Sequence, residues 1–505
     1  MTKKQIVIVT AALLLSNAMG GLDNTIINTA LPAIISDLHG IEYIGWIVAV
    51  FLLGTAISTP LWSKFGEYAG NKRSYQLSAL LFVIGSFLSG FAPNMIFLIA
   101  ARALMGIGNG GMVSIPYIIY SKIYPNPRKR MKVLGFVSAS YSMATIIGPL
   151  VGGYLVDTFS WHWVFYISVP VGLVSVIFVQ IYYKASKLVK KTTPVDYKGA
   201  ILMTLGLIFL LSGIEMIGTV NIILVGLVLI IAVALIVAMI KVESQVDDPI
   251  IPNRLFKNRP LVIDFLLFSL IWGAFLGFLI YSPMWAQGLL GTTALIGGAT
   301  QIPGSVTDFI GAGSVASMRR FITPQKVINI GIWTLVISFV VMVVAGKQAP
   351  YWVILVAAAF EGFGNGVCFN ELQVKVQQDA ASEDVPVATS FSFLIRMLSQ
   401  TFMASIFGII LNNSLANGVA DSAGKITMKM MNKLSDASSS GNLPANLLPQ
   451  MRTILHNGLH NIMLVALALM VIALGINIYA QQLEKIKMKK QAGESIRNKV
   501  SQFEN

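Results

Sequence analysis

The chain has 505 residues, 55% of them hydrophobic and 11% charged, with a formal net charge of +14. That charged fraction is under half the ~25% typical of soluble domains, which excludes an ordinary soluble fold. The single cysteine, Cys368, excludes an intramolecular disulfide.

Apolar segments long enough to cross a ~30 Å hydrocarbon core recur along the whole length. The first begins after Lys3 and Lys4 and resembles a signal peptide, but its apolar pattern continues past Asp23 to Ile35, so an uncleaved span is expected. About fourteen spans follow in order: 5–35, 42–63, 74–92, 95–122, 132–157, 162–184, 197–217, 220–241, 260–288, 293–318, 326–346, 350–375, 386–412 and 457–481. Alternate connections carry the basic residues: Lys72 and Arg73, Arg128 to Lys132, Lys184 to Lys191, Arg254 to Arg259, and Arg319 to Lys326. Both termini fall on this basic side and are expected to be cytoplasmic. The positive charge then reflects topology and contact with anionic lipid, not nucleic acid. The segment Asn413–His456 reads as a long polar loop on the other side, with little sign of a packed core.

One motif repeats. Gly106-Ile-Gly-Asn-Gly110 in the fourth span returns as Gly362-Phe-Gly-Asn-Gly366 in the twelfth. Eight spans separate the copies, so both run the same way. Parallel halves with a site between them near the midplane would produce this. The first copy also fits GxGxxG, but it sits in an apolar helix, where small residues let backbones approach, and no strand precedes it as a dinucleotide site needs. No Walker A sequence occurs, so no nucleotide is expected. His39, His162, His456 and His460 fall at span ends without acidic or thiol companions, so no metal site is expected.

Ionisable residues inside the spans carry the functional reading. Asp308 lies near the middle of the tenth, Asp23 in the outer half of the first, and Glu361 mid-depth in the twelfth. A carboxylate at the bilayer centre costs at least ~2.5 kcal/mol and usually faces a cavity. In a low-dielectric cavity a carboxylate favours its protonated form. A cationic compound then competes with the proton for one anion, which suffices for exchange. Arg396, mid-depth in the thirteenth span, offers Glu361 or Asp308 a charge partner, leaving Glu361 open to either a proton-carrying or a paired structural role. Arg102, in the outer part of the fourth span, is expected to bond to carbonyls. Glu215, near the outer end of the seventh span, ranks last, and Glu371 is placed near the basic end of the twelfth, with no need of burial.

Several stretches resemble one family. Leu22-Asp-Asn-Thr-Ile-Ile-Asn-Thr-Ala-Leu-Pro32 resembles the first-helix motif of the fourteen-helix drug:H+ antiporters of the major facilitator superfamily. Gly66-Glu-Tyr-Ala-Gly-Asn-Lys-Arg73 resembles the superfamily's loop motif: Gly70 and Lys72 match, while Ser63, Glu67 and Asn71 replace its first Gly, its Asp and its first basic residue. Arg102 to Gly110 is similar to the fourth-helix motif. Gly148-Pro-Leu-Val-Gly-Gly153 resembles the antiporter motif of exporters, and Trp161 to Gly172 follows the Trp-Arg-Trp pattern with His162 for Arg.

The resemblance implies an all-α membrane protein of the major facilitator fold. Its parts are a six-helix bundle over 1–190, a two-helix insertion with linker over 191–258, a second bundle over 259–485 and a basic tail over 486–505. It implies a proton-coupled multidrug exporter of lipophilic, often cationic compounds in a cell membrane of bacterial type. The partners are then hydrophobic small molecules, protons and the lipid bilayer, and no cofactor is needed beyond the proton gradient. Asp23 and Arg102 carry over as proton-handling residues. Glu67, Gly70, Lys72, Gly148, Pro149, Gly152 and Gly153 carry over as gating positions. The alternatives are a dedicated exporter of one metabolite, lipid or antibiotic coupled to H+ or Na+, and, from another class, a membrane enzyme or sensor.

Overall fold

The fold is described from a computed structural model covering all residues except 126, 185–196, 218–220, 244–252, 382–383, 436, 442 and 504–505. Some side chains inside helices, Glu67 and Glu215 among them, also lie outside the described set, so the expectations placed on those two rest there.

The described residues form helices and connecting turns. The first group comprises α1 (Lys3–Leu38), α2 (Ile44–Ala69), α3 (Asn71–Gly90), α4 (Met95–Ile123), α5 (Pro127–Thr158), α6 (His162–Tyr166) and α7 (Ser168–Tyr182). A pair follows, α8 (Tyr197–Glu215) and α9 (Ile222–Glu243). The second group comprises α10 (Arg259–Met284), α11 (Ala294–Ala299), α12 (Ile302–Met318), α13 (Pro324–Val344), α14 (Tyr351–Asp379), α15 (Val385–Ala420), α16 (Met428–Leu434), α17 (Ala437–Ser440) and α18 (Leu448–Phe503). Helix starts follow their sequence: Thr2 and Gln5 form a capping box on α1, and Asn94 caps α4 through Phe97 N at 2.9 Å. Pro283 ends the regular part of α10, and a π-turn over Trp285–Leu289 follows.

Among the described residues, ten segments are long and apolar enough to cross a membrane. The α3, α5, α8 and α12 stretches fall outside that set; α5 and α8 carry shorter apolar runs, Met143–Thr158 and Ile201–Ile214. The reason is local composition. α12 carries Ser, Thr and Asp, and its Gly304 and Gly311, seven apart, meet the Ala358 and Phe363 backbone of α14, so it needs less apolar surface of its own.

Within the first group α4 packs on α2 and α3, and α1 on α5 and α7. Within the second, α14 packs on α12 and α13, and α18 on α10, α13 and α15. α8 and α9 lie against one another, and α8 touches α2 and α15. The groups meet toward the end opposite the basic residues. There Gly408 of α15 meets the Gly45 backbone of α2, and α11 lies on α5.

The 413–456 segment differs from the loose loop expected. α15 continues to Ala420, α18 begins at Leu448, and α16 lies between them. Ile426, Met431, Leu434, Met451 and Leu455 are buried. Met431 and Leu434 stand three apart and Met451 and Leu455 four apart, a helical spacing that the polar composition obscured. The segment ties to the first group: Ser36 Oγ donates to Ser439 Oγ at 2.6 Å, and Ile41 N donates to Asn432 Oδ1 at 3.4 Å.

Candidate functional site

The repeated Gly-x-Gly-Asn-Gly sequence does the same packing task twice. On α4, a Cβ on Gly106 would strike Phe51 O of α2, one on Gly110 would strike Ser58 of α2, and one on Gly108 would strike Phe82 of α3. On α14, Gly362 and Gly366 meet Gly304 and Asp308 of α12, while Gly364 meets Gly331 and Thr334 of α13. Alternate glycines thus seat each helix against two neighbours of corresponding order. The asparagine within the motif also repeats its role. Asn109 Nδ2 donates to Thr55 Oγ1 of α2 at 3.3 Å, and Asn365 Nδ2 donates to Asp308 Oδ1 of α12 at 2.8 Å.

The two copies differ in charge. Where the first has Thr55 and Met105, the second has Asp308 and Glu361. Gly304 and Asp308 are four apart on α12, and Glu361 and Asn365 four apart on α14, so each pair shares a helix face. Two layers result: Gly304 beside Glu361, whose Oε2 lies 3.5 Å from where a Cβ on Gly304 would sit, then Asp308 beside Asn365. Glu361 is 4% exposed, and its Oε1 has no hydrogen-bond partner among the described residues. A buried, unsatisfied carboxylate oxygen is costly and points to a proton, an ion or a ligand group as its partner.

Asp23 and Arg102 come together in the first group. Arg102 Nη1 donates to Asp23 Oδ2 at 3.1 Å, with the side chains 1% and 0% exposed. Arg102 Nε donates to Ile47 O at 3.4 Å, and the guanidinium carbon lies 4.1 Å from the Phe51 ring centroid. Arg102 therefore takes the expected carbonyl partner and, beyond that expectation, an acid. Asp23 Oδ1 has no hydrogen-bond partner among the described residues. Arg396 sits in the second group among the rings of Phe393, Phe369 and Trp272, with its guanidinium carbon 4.9, 5.2 and 5.9 Å from their centroids.

The remaining expected positions lie at two ends. Gly70 joins α2 to α3 with φ of 94°, a conformation that favours glycine. Lys72 Nζ donates to Gln180 O of α7 at 2.7 Å, within its own group. At the opposite end Gly148 and Gly152 seat α5 against Thr25 and Ile26 of α1, while Gly153 meets the Leu295 backbone of α11. Pro149 leaves its carbonyl facing Gly298 of α11.

Two polar features were not singled out from the sequence, and a third was placed there without its burial. Lys375 of α14 pairs with buried Asp264 of α10 at 3.1 Å and also with Asp379. Both lie near span ends, where a charge reads as solvated. Glu371, expected at the basic end with no need of burial, is fully buried there because Arg319 closes on it with Nε and Nη2 bonds of 2.6 to 2.9 Å. Asp157, in the last turn of α5, accepts from Ala294 N at 3.0 Å and Leu295 N at 2.9 Å of α11. A carboxylate is disfavoured at a helix C-terminus; that mismatch was the one available signal.

Residues 13–404 match the sequence model of the Major Facilitator Superfamily. The chain belongs to that family. This facilitator is 31% identical over 423 residues to multidrug resistance protein 3 of Bacillus subtilis (strain 168), covering 82% of the chain and 81% of the relative. It is 29% identical over 426 residues to multidrug transporter protein MdtP of the same organism, covering 81% of the chain and 76% of the relative. Its fold is similar to the crystal structure of a bacterial homologue of the human lysosomal transporter Spinster in an inward-facing and occupied conformation. That match has a TM-score of 0.68 at 13% identity and covers 95% of this chain and 98% of that one. A D-xylose-proton symporter structure matches with a TM-score of 0.59 at 16% identity, covering 86% and 96%. The protein is thus a multi-pass membrane transporter of the facilitator fold and not an enzyme.

Proposed function

We propose that this facilitator is a proton-coupled multidrug exporter that carries lipophilic, often cationic compounds by alternating access. The observation that carries the reading is the acid pair of the second group, buried Glu361 with an unsatisfied oxygen beside Asp308 and its Asn365 donor. A proton satisfies that oxygen in one state, and a substrate cation replaces it in another. Relatives named for multidrug resistance and multidrug transport support the substrate class. In this reading fourteen spans form two six-helix halves, 1–190 and 259–485, around the insertion 191–258. The basic end and both termini face the cytoplasm. With the halves joined at the far end, the chain is closed to the outside. The proton gradient is the energy source, and no cofactor takes part.

Drug-induced proton movement in energised inside-out vesicles tests the proposal, with a pH-sensitive dye reporting ΔpH. Several unrelated lipophilic cations should each dequench the dye, and Asp308→Asn or Glu361→Gln should abolish the response. A response to one neutral compound only, or one that needs Na+, identifies a dedicated exporter instead. A full multidrug response that survives both substitutions leaves antiport standing and removes the acid pair from it.

A further inference from the structure

An amphipathic groove of about 390 Å³ lies on the flank of the first group, between α3 and α7, lined by Arg73, Gln76, Leu77, Leu80, Val176 and Gln180. Its polar and apolar linings are separated along the helix axes. α3 runs inward from the basic end, so Leu77 and Leu80 lie about 6 and 10 Å deeper than Arg73 at ~1.5 Å per residue. α7 runs the other way, and Val176 lies about 6 Å deeper than Gln180 on the same rise. The groove is therefore polar and cationic at the basic end and apolar toward the middle.

The polar end is built from donors. Arg73 is exposed, and Lys72 holds its ammonium on Gln180 O beside it. Gln76 Nε2 donates to Gln180 Oε1 at 2.6 Å, which uses the acceptor and keeps the Gln180 amide N–H groups as donors. The lining holds no acid. The apolar end opens onto an exposed stripe that continues along α3 through Leu77 (47% exposed), Ile84 (48%) and Phe87 (52%). Cationic donors at the level of a membrane surface with an apolar slot below them match a phosphate headgroup and an acyl chain.

We infer that the α3–α7 groove is a binding site for one anionic phospholipid, its phosphate on Arg73 and the Gln180 amide and an acyl chain along Leu77, Leu80 and Val176. The inference is independent of what the transporter exports. Lipid held there bridges α3 to α7, the same pair that Lys72 joins.

The test is native mass spectrometry of the full chain in detergent, titrated with phosphatidylglycerol or phosphatidylcholine. Wild-type protein should retain one phosphatidylglycerol in preference to phosphatidylcholine. Arg73→Ala should weaken retention about fivefold, the factor expected for one basic residue at an anionic surface. Leu80→Trp, which fills the slot and keeps the charge, should also weaken it. Arg320→Ala, which removes an exposed arginine of the basic end outside the groove, should leave it unchanged. Equal loss in Arg73→Ala and Arg320→Ala would overturn the site in favour of diffuse charge attraction, and equal retention of the two lipids would overturn its selectivity. If glycerol 3-phosphate alone raised the thermal stability as much as phosphatidylglycerol, the groove would be a phosphate site, not a lipid site.

Discussion

Each group of helices buries ionisable residues, but the two arrangements differ in kind. Asp23 and Arg102 neutralise one another, so removing either strands the other. Breaking a buried pair costs ~3–5 kcal/mol, whereas replacing both members with apolar residues is often neutral. Arg102→Met or Asp23→Leu alone should lower the thermal midpoint strongly, and the double substitution should recover much of it. Coupling should stay lost in all three if the pair handles protons, and return with stability if it is structural. Asn365 and Asn109 give a sharper contrast. The bond from Asn365 reaches a carboxylate and that from Asn109 a hydroxyl, and bonds to charged groups are worth roughly twice as much. Asn365→Ala should reduce uphill export several-fold while sparing downhill exchange. Asn109→Ala should cost ~1 kcal/mol of stability and leave coupling intact. The acids themselves were legible in the sequence, because a carboxylate within an apolar run stands out at once. Their partners were not: Asn365 and Arg319 acquire meaning only when α12 meets α14, and sequence separation conceals that meeting.

At the scale of elements, α5 bridges the two groups. One face carries Gly148 and Gly152 against α1; Gly153 and the Pro149 carbonyl meet α11. Asp157 completes the contact by accepting two backbone N–H groups of α11. Gly153→Ala forces a Cβ into the Leu295 backbone, and Asp157→Ala removes both acceptors. Both should separate α5 from α11 and populate a form open at this end. Electron–electron resonance between spin labels at positions 91 and 348, in a Cys368→Ser background, should show a longer distance in each variant. An unchanged distance in both would mean that other contacts hold the end shut. The glycine stretch was readable as a close-packing motif, since small residues beside Pro mark a helix that must approach its neighbours. Which neighbours those are was not readable, and the short helix α11 was hidden inside the longer span expected over 293–318.

For the whole molecule, the repeat read from ten residues of sequence expands into two packing arrangements, α4 on α2 and α3, and α14 on α12 and α13. Cys368, 0% exposed, sits in the second of these with its thiol against Gly331 of α13. A thiol-reactive dye should stay dark on the native protein and report cooperative loss of the second group on heating. Early labelling well below the transition would show that the α13–α14 seam opens by itself. What the sequence least revealed was the helical segment between α15 and α18, because its buried Met and Leu positions are diluted by Ser, Asn and Gly. That segment has a practical consequence. A transporter of this fold offers few features beyond the membrane for aligning single-particle images, and α16 and α17 supply a helical landmark. They belong to one group yet bond to Ser36 and Ile41 of the other. An antibody fragment raised against them would therefore serve as a fiducial and, by gripping both sides of the seam, would trap the shape it was selected on.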